Sequence, residues 1–318
     1  MRVLVTGGSG CIGAWVLKGL LERGMDVVMF DQQAEAKRLD LIAPPELKSR
    51  LRMLAGAIED TAAVQALVKD EGITHIVHLA AVLMPFCQAN PVRGGLINVI
   101  GTLNLFEAAR DSGRDIRMVY ASSSAIWGPG DKYEDRALVE SDMPLPSTHY
   151  GVYKHANEGN ARVFYATNGI SSVGLRPWTV YGVGRDAGLT ADPTLAMRAV
   201  AMDQPFQIRL TGNMDLQYVD DVAETFIRCL LSPVQGAHVF NLAGDIVAMD
   251  ALIGMLEAAS PGASKLITSA GPQVPVAFRM DDSALRSTIG EMPHTPLVEG
   301  IAKTLEGFRR LRASGHLS

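Results

Sequence analysis

The sequence predicts an α/β fold: a doubly wound parallel sheet carrying a smaller C-terminal α/β substrate lobe. Three observations lead there. Short β-branched runs alternate with helical stripes through the first half, a pattern that builds parallel strands joined by right-handed crossovers. The candidate strands are almost continuously apolar, as strands covered on both faces must be. The first of them runs straight into a glycine-rich turn and a helix.

Residues 2–6 form the first strand. Residues 12–22 read as a helix, because Trp15, Leu17, Leu20 and Leu21 fall on one stripe. Strands follow at 26–31, 51–54, 75–79 and 116–121, with helices at 61–69 and at 92–111. Residues 128–146 break the rhythm with Gly128-Pro129-Gly130, a charged stretch and Pro144-Leu145-Pro146, and read as a loop. A helix over 148–167 and a strand over 171–175 come next. Beyond a loop rich in Gly and Asp, helices are expected near 195–202 and 219–231, a strand at 238–242, and final helices at 249–258, 282–288 and 298–311. The division expected is a dinucleotide-binding domain over 1–176 and a mainly substrate-binding lobe over 177–318, with 219–245 returning to the first sheet.

Composition narrows the function classes. At 318 residues the chain is long enough for about two domains and a full core. With 47% apolar and 20% charged residues it is neither disordered nor fibrous. Its 29 Lys and Arg against 34 Asp and Glu leave no basic excess to neutralise a nucleic-acid backbone. The cysteines Cys11, Cys87 and Cys229 are odd in number and widely spaced, which suits neither a disulfide framework nor a zinc cluster. His75 and His78, three apart on a strand, point to opposite faces, so no metal site is expected. The longest apolar candidate, 76–86, is interrupted by His78 and Pro85 and falls short of the ~18 residues a membrane span needs. The glycine motif begins too early for a signal peptide. The expectation is a soluble cytoplasmic protein with no membrane or nucleic-acid partner.

The turn Thr6-Gly7-Gly8-Ser9-Gly10-Cys11-Ile12-Gly13 gives the sheet a Rossmann-type character. Glycines at 7, 10 and 13 permit a tight turn, close approach of a pyrophosphate to the backbone, and tight helix–sheet packing, with the helix start at Cys11 and Ile12 facing the phosphates. A plain strand–helix turn is the alternative, and the position at the first strand disfavours it. Asp31 ends the second strand, where a carboxylate can take both adenosine ribose hydroxyls and repel a 2′-phosphate; this favours NAD over NADP. Lys37 and Arg38, a little farther on, pull weakly the other way. A thiol at a helix start, as at Cys11, is expected to have a lowered pKa, but no catalytic role is assigned to it.

Tyr150 and Lys154 are four apart on the helix after the loop and share a face. An ammonium near a phenol favours the phenolate, which makes a general acid/base for interconverting an alcohol and a carbonyl. The preceding strand ends in Ser122-Ser123-Ser124, at the carboxyl edge of the sheet where ligands bind, so a hydroxyl can meet a substrate oxygen beside the tyrosine.

These features together resemble the short-chain dehydrogenase/reductase superfamily, in its extended, NAD-dependent epimerase/dehydratase-like branch. The resemblance spans nearly the whole chain. Its anchors are the glycine turn, His78-Leu79-Ala80-Ala81, Asn98-Val99-Ile100-Gly101-Thr102, the serine run, Tyr150 with Lys154, and Leu175-Arg176-Pro177-Trp178-Thr179-Val180-Tyr181-Gly182. It implies Tyr150 as acid/base, Lys154 as holder of the nicotinamide ribose, and Ser123 as catalytic hydroxyl with Ser124 as runner-up. It implies further that Ile58 meets adenine, that Leu79, Ala80 and Ala81 pass under the cofactor, and that Pro177 meets the nicotinamide end. A homodimer through the helices bearing Asn98 and Tyr150 is also implied; a helix–helix hydrogen bond is the competing role for Asn98.

The chain departs from the family pattern in four places. Ala57 precedes Ile58 where an Asp is common. Thr179 stands where nucleotide-sugar members have Asn. Met214 stands where they have Arg, and Ala270-Gly271-Pro272-Gln273 lacks the later arginine. Bidentate arginines are the usual grip on a diphosphate. Their absence predicts a carbohydrate-like substrate without a nucleotide: a small sugar, sugar acid or polyol, oxidised at a secondary alcohol with hydride passing to NAD. The alternatives are an epimerase or dehydratase working through transient oxidation on tightly held NAD, and a non-catalytic NAD-binding sensor. Arg185 is the cation singled out for a substrate carboxylate or phosphate, against a salt bridge with Asp186. Met84 is expected to line the pocket, with a packing role as the alternative.

Overall fold

The computed structural model describes residues 1–317. Seven parallel strands form the main sheet in the order β10-β6-β5-β4-β1-β2-β3. They are β1 (Arg2–Thr6), β2 (Asp26–Asp31), β3 (Arg52–Ala55), β4 (His75–His78), β5 (Arg117–Ala121), β6 (Ser172–Arg176) and β10 (Ala237–Asn241). Strand order reverses beside β1, which opens a crevice at the carboxyl ends of β1 and β4. One face packs on helices Cys11–Glu22 and Val219–Leu231, with Leu17, Leu20, Leu21, Phe226 and Leu230 wholly buried. The other packs on Thr61–Asp70 and Gly101–Asp111 through Val64, Leu105 and Phe106.

After β6 the chain leaves the sheet to build the lobe. There β7 (Thr179–Tyr181) lies parallel to β9 (Asn213–Tyr218), and β11 (Asp245–Ala248) runs antiparallel to it. A second pair joins β8 (Phe206–Ile208) and β12 (Ile267–Ser269). The helices Asp192–Ala201, Met249–Ala259 and Leu297–Ala313 close over these strands around Met197, Leu216, Leu252 and Ile301. Between its two passages through the lobe the chain returns to the sheet: helix Val219–Leu231 lies along Cys11–Glu22, and β10 pairs with β6.

Two differences from the sequence expectation bear most on the architecture. The long helix over 92–111 is divided into Pro91–Gly95, a π-helical turn Leu96–Ile100, and Gly101–Asp111. The π turn carries the buried Asn98, whose amide is occupied by the loop after β4: its Nδ2 donates to Val82 O at 3.0 Å and its Oδ1 accepts from Val82 N at 3.0 Å. The lobe strands β7, β8, β9, β11 and β12 fall in stretches where no strand was expected. All are short, and pairing partners rather than local pattern hold them extended.

The helix His149–Asn168 is fastened to the sheet by a buried ion pair. Glu158 takes two hydrogen bonds from Arg176, each 2.8 Å, and one from Ser122 Oγ at 2.5 Å. Arg176 also reaches Asn241 Oδ1 and lies 4.8 Å over the Trp127 ring. Both charges are almost wholly buried, so removing one strands the other in a low-dielectric interior. Glu158→Leu should therefore lower unfolding free energy by about 3–5 kcal/mol in urea titration, and pairing it with Arg176→Met should recover much of the loss.

Candidate active site

The carboxyl ends of β1, β4, β5 and β6 and the loop after β7 surround one cavity of about 340 Å³. Gly7, Gly10, Cys11, Ile12 and Gly13 line one end of it. Ser123, Ser124, Tyr150 and Lys154 line the other, and Leu79, Ala81, Met84, Pro177, Thr179 and Arg185 form the walls. Three of the residues singled out from the sequence stand off this surface. Asp31 accepts the Ser9 amide at 3.0 Å at the edge of the glycine turn. Ile58 is buried against Gly101. Ala80 lies behind Gly7, with its amide 3.4 Å from Thr6 Oγ1.

The glycine turn fits a dinucleotide. Gly7 has φ +72°, and a Cβ there would come within 2.5 Å of Ala80 N; one at Gly13 would lie 2.3 Å from Gly7 O. The helix Cys11–Glu22 begins at Gly10 with no side-chain cap, which leaves first-turn amides facing the cavity for a pyrophosphate. Asp31 stands at the end of β2 where the adenosine ribose would lie. Neither nearby cation is free for a 2′-phosphate. Lys37 pairs with Glu35, while Arg38 grips Asp186 through two nitrogens and donates to Ser9 O at 2.5 Å. Asp186 therefore belongs to Arg38, not to Arg185 as the salt-bridge alternative had it.

At the far end, helix His149–Asn168 starts at Thr148, whose Oγ1 caps Gly151 N at 3.1 Å. This start sets Tyr150, Lys154 and Glu158, spaced four apart, on the inward face. Lys154 donates to Ala121 O at 2.7 Å, and its Nζ lies 5.6 Å from the Tyr150 ring centre. Burial lowers the Lys154 pKa to about 8. Tyr150 differs from the expectation of a phenol already tuned toward neutrality. Burial raises its pKa, and the pulls of the Ser123 hydroxyl and of Arg185 only offset this in part. The Ser123 hydroxyl also accepts the Ala125 amide at 3.1 Å.

Cys11 departs from expectation in the same direction. Its apolar surroundings push the thiol up to about 12 against the pull of Arg185 and Arg38, so desolvation outweighs the helix start. The sequence reading passed over Glu158 and the inward hydroxyl–imidazole chain behind the site. His78 is buried between Thr6 Oγ1 at 2.7 Å and Thr102 Oγ1 at 2.9 Å, and Thr102 also receives Asn157 Nδ2 at 3.0 Å. The spacing of Glu158 from Tyr150 and Lys154 was the available signal.

A sheet with this switch point, glycine turn and serine–tyrosine–lysine edge can be set beside known proteins. The model of the NAD dependent epimerase/dehydratase family matches residues 3–243. The chain belongs to that family. A UDP-glucose 4-epimerase of Mycolicibacterium smegmatis is 29% identical over 97% of this chain and 99% of its own length. The structure of the Thermus thermophilus UDP-glucose 4-epimerase in complex with NAD superimposes with a TM-score of 0.82 at 28% identity, covering 97% of this chain and 99% of that one. An L-threonine dehydrogenase from Cupriavidus necator shares the fold, with a TM-score of 0.83 at 21% identity over 96% of this chain and 99% of that one. Membership makes the protein an NAD-dependent enzyme of the extended short-chain dehydrogenase type. No helix among the described residues is long and apolar enough to cross a membrane.

His78 makes acid sensitivity a test of the site's interior. Burial, assisted by Lys154, lowers its pKa from 6.5 to about 3. An unfolded imidazole takes its proton near pH 6.5, whereas the folded one refuses it until about pH 3. Protons therefore favour the unfolded chain across that window. The His78 contribution to unfolding free energy should fall by up to about 1.4 kcal/mol per pH unit below 6.5. Urea midpoints of His78→Asn measured between pH 7 and 4 should show a shallower slope than wild type.

Proposed function

We propose that this enzyme oxidises a secondary alcohol of a small substrate that carries no nucleotide, with Tyr150 as the base and Ser123 as the hydroxyl that positions the alcohol. The observation that carries this reading is the fate of Met214. Where a guanidinium would grip a diphosphate, Met214 is fully buried in the lobe core. The segment that would bring the second arginine instead tucks Gln273 against Gly212. Three further arginines of the lobe and its adjoining loop pair with carboxylates, Arg136 with Asp142, Arg209 with Asp192 and Arg279 with Asp135, which leaves Arg185 as a single cation and not a pair. Without paired cations a sugar nucleotide loses its main anchor.

Gly7, Gly10 and the helix start at Cys11 and Ile12 would hold the NAD pyrophosphate, Asp31 the adenosine ribose, and Lys154 the nicotinamide ribose. Bound there, NAD supplies the hydride acceptor. Ser123 Oγ and Tyr150 Oη converge on the substrate hydroxyl, and Tyr150 takes its proton. Lys154 keeps a positive charge beside the phenol below pH 8 or so and so favours the phenolate. Burial of the phenol keeps it protonated in the free enzyme, which confines the strong base to the loaded site.

Leu79, Ala81 and Met84 give this end of the cavity an apolar wall after β4. A second reading, epimerisation on retained NAD, is favoured by the full-length likeness to a UDP-glucose 4-epimerase. Net NADH formation separates the two. A panel of non-nucleotide secondary alcohols should yield NADH, and calorimetric titration of the NAD-loaded protein with UDP should show no micromolar binding. Micromolar UDP binding would favour the epimerase. Tyr150→Phe should cut turnover at least a hundredfold while NAD affinity stays within a few-fold, as expected for a lost general base.

The same reading includes a homodimer. Val92 is exposed by 80% on the short helix that leads into the Asn98 turn, and Val152 and Val163 by 47% and 60% on the helix of Tyr150, apolar side chains that a partner would cover. Light scattering should give twice the chain mass, and Val163→Asp should reduce it to that of a monomer.

A further inference from the structure

We infer that Arg185 is the anchor for a substrate carboxylate, and that the substrate is a short hydroxy acid with no ammonium group. The inference rests on the dehydrogenase reading and names its substrate class.

The loop after β7 carries Arg185 onto the wall of the cavity. At Gly184 a Cβ would sit 3.8 Å from Arg38 and 4.0 Å from Cys11 Sγ, beside the glycine turn. At Gly188 it would sit 3.3 Å from Arg185 Nη2 and 3.1 Å from Leu83 Cδ1, beside the wall that follows β4. The guanidinium therefore lies across the cavity between Cys11 and Tyr150, acting on both, and its Nη2 donates to Thr190 Oγ1 at 3.2 Å.

This guanidinium has no counter-charge. Among the described residues no carboxylate pairs with Arg185, and its Nε is buried with no hydrogen-bond partner. The acid next in sequence, Asp186, is held by Arg38 at 2.6 Å. Three cations line the cavity, Arg38, Lys154 and Arg185, against one carboxylate, which is already taken. A buried guanidinium nitrogen left unpaired is costly, so the site is built to be completed by an anion. Thr179, fully buried on the same cavity, also carries a hydroxyl with no partner.

The rest of the lining selects among anions. It holds no Asn, Gln or Glu side chain, the planar groups that satisfy the many hydroxyls of a sugar. Its polar side chains are mainly hydroxyls set among Leu83, Met84, Pro85, Val274 and Val276. An ammonium would find no free carboxylate. One anion, one oxidisable hydroxyl and a short apolar remainder match what the walls offer.

The test uses NAD-loaded Tyr150→Phe protein, so that binding is read without turnover. Lactate and β-hydroxybutyrate, both enantiomers, are titrated calorimetrically beside their carboxamides. At least one acid should bind about a hundredfold tighter than its amide, a margin of about 2.8 kcal/mol. Adding Arg185→Gln should erase that preference, Arg185→Lys should keep part of it, and NAD affinity and melting temperature should hold. Equal binding of acid and amide, no binding of any acid, or a preference that survives Arg185→Gln overturns the inference. So does a matching loss of NAD affinity, which would assign the guanidinium to the cofactor phosphates. With Tyr150 restored, a carboxylate preference without NADH keeps the anion anchor and rejects the dehydrogenase reading. NADH from neutral alcohols without a carboxylate preference does the reverse.

Discussion

The buried pair between Glu158 and Arg176 is the contact on which the active edge depends. It is two turns along the helix from Tyr150 and one from Lys154 on the same face, so it fixes the rotation of that helix about its axis. Its partners come from three parallel strands: Ser122 just past β5, Arg176 at the end of β6 and Asn241 at the end of β10. The catalytic edge is therefore registered to the sheet by a buried charge pair. A charge pair has one geometry, whereas an apolar face can slide.

Desolvation, more than any single charge, sets the chemistry of the cavity. Tyr150, Cys11 and Cys87 are all pushed toward their protonated forms, and Lys154 and His78 toward their neutral forms. Each shift disfavours charge in the desolvated interior. The guanidinium of Arg185 cannot yield its proton, and unlike that of Arg38 it has no carboxylate partner among the described residues. The same dryness that holds the phenol neutral makes any incoming charge act strongly on it.

The seven-stranded sheet was legible because each of its strands is an apolar run bounded by helical stripes or turns, and each motif lies at a strand end. The glycine turn, the serine run and the Tyr150–Lys154 spacing were legible for the same reason: each is a local pattern with one structural context. The lobe was not. Strands such as Phe206–Ile208 and Ile267–Ser269 are three residues long and exist only because they meet each other. The partner of Asp186 could not be read either, since Arg38 is 148 residues away. Nor could the balance at Cys11 and Tyr150, where the local rule of a helix start or a neighbouring lysine is overruled by how much water the fold removes.

The bond between Arg38 and Asp186 has a kinetic meaning. It ties the loop after β7 to the strand-end segment beside Asp31 and so roofs the glycine turn. Yet it lies toward the surface, with its side chains 28% and 49% exposed, where an ion pair weakens with salt. Such a roof is a door on a light latch. An enzyme that reoxidises its own cofactor has reason to seal it in. One that must release NADH and admit fresh NAD at every cycle gains from an exit that thermal motion can open, and the pace of that exchange would then respond to ionic strength before the chemistry does.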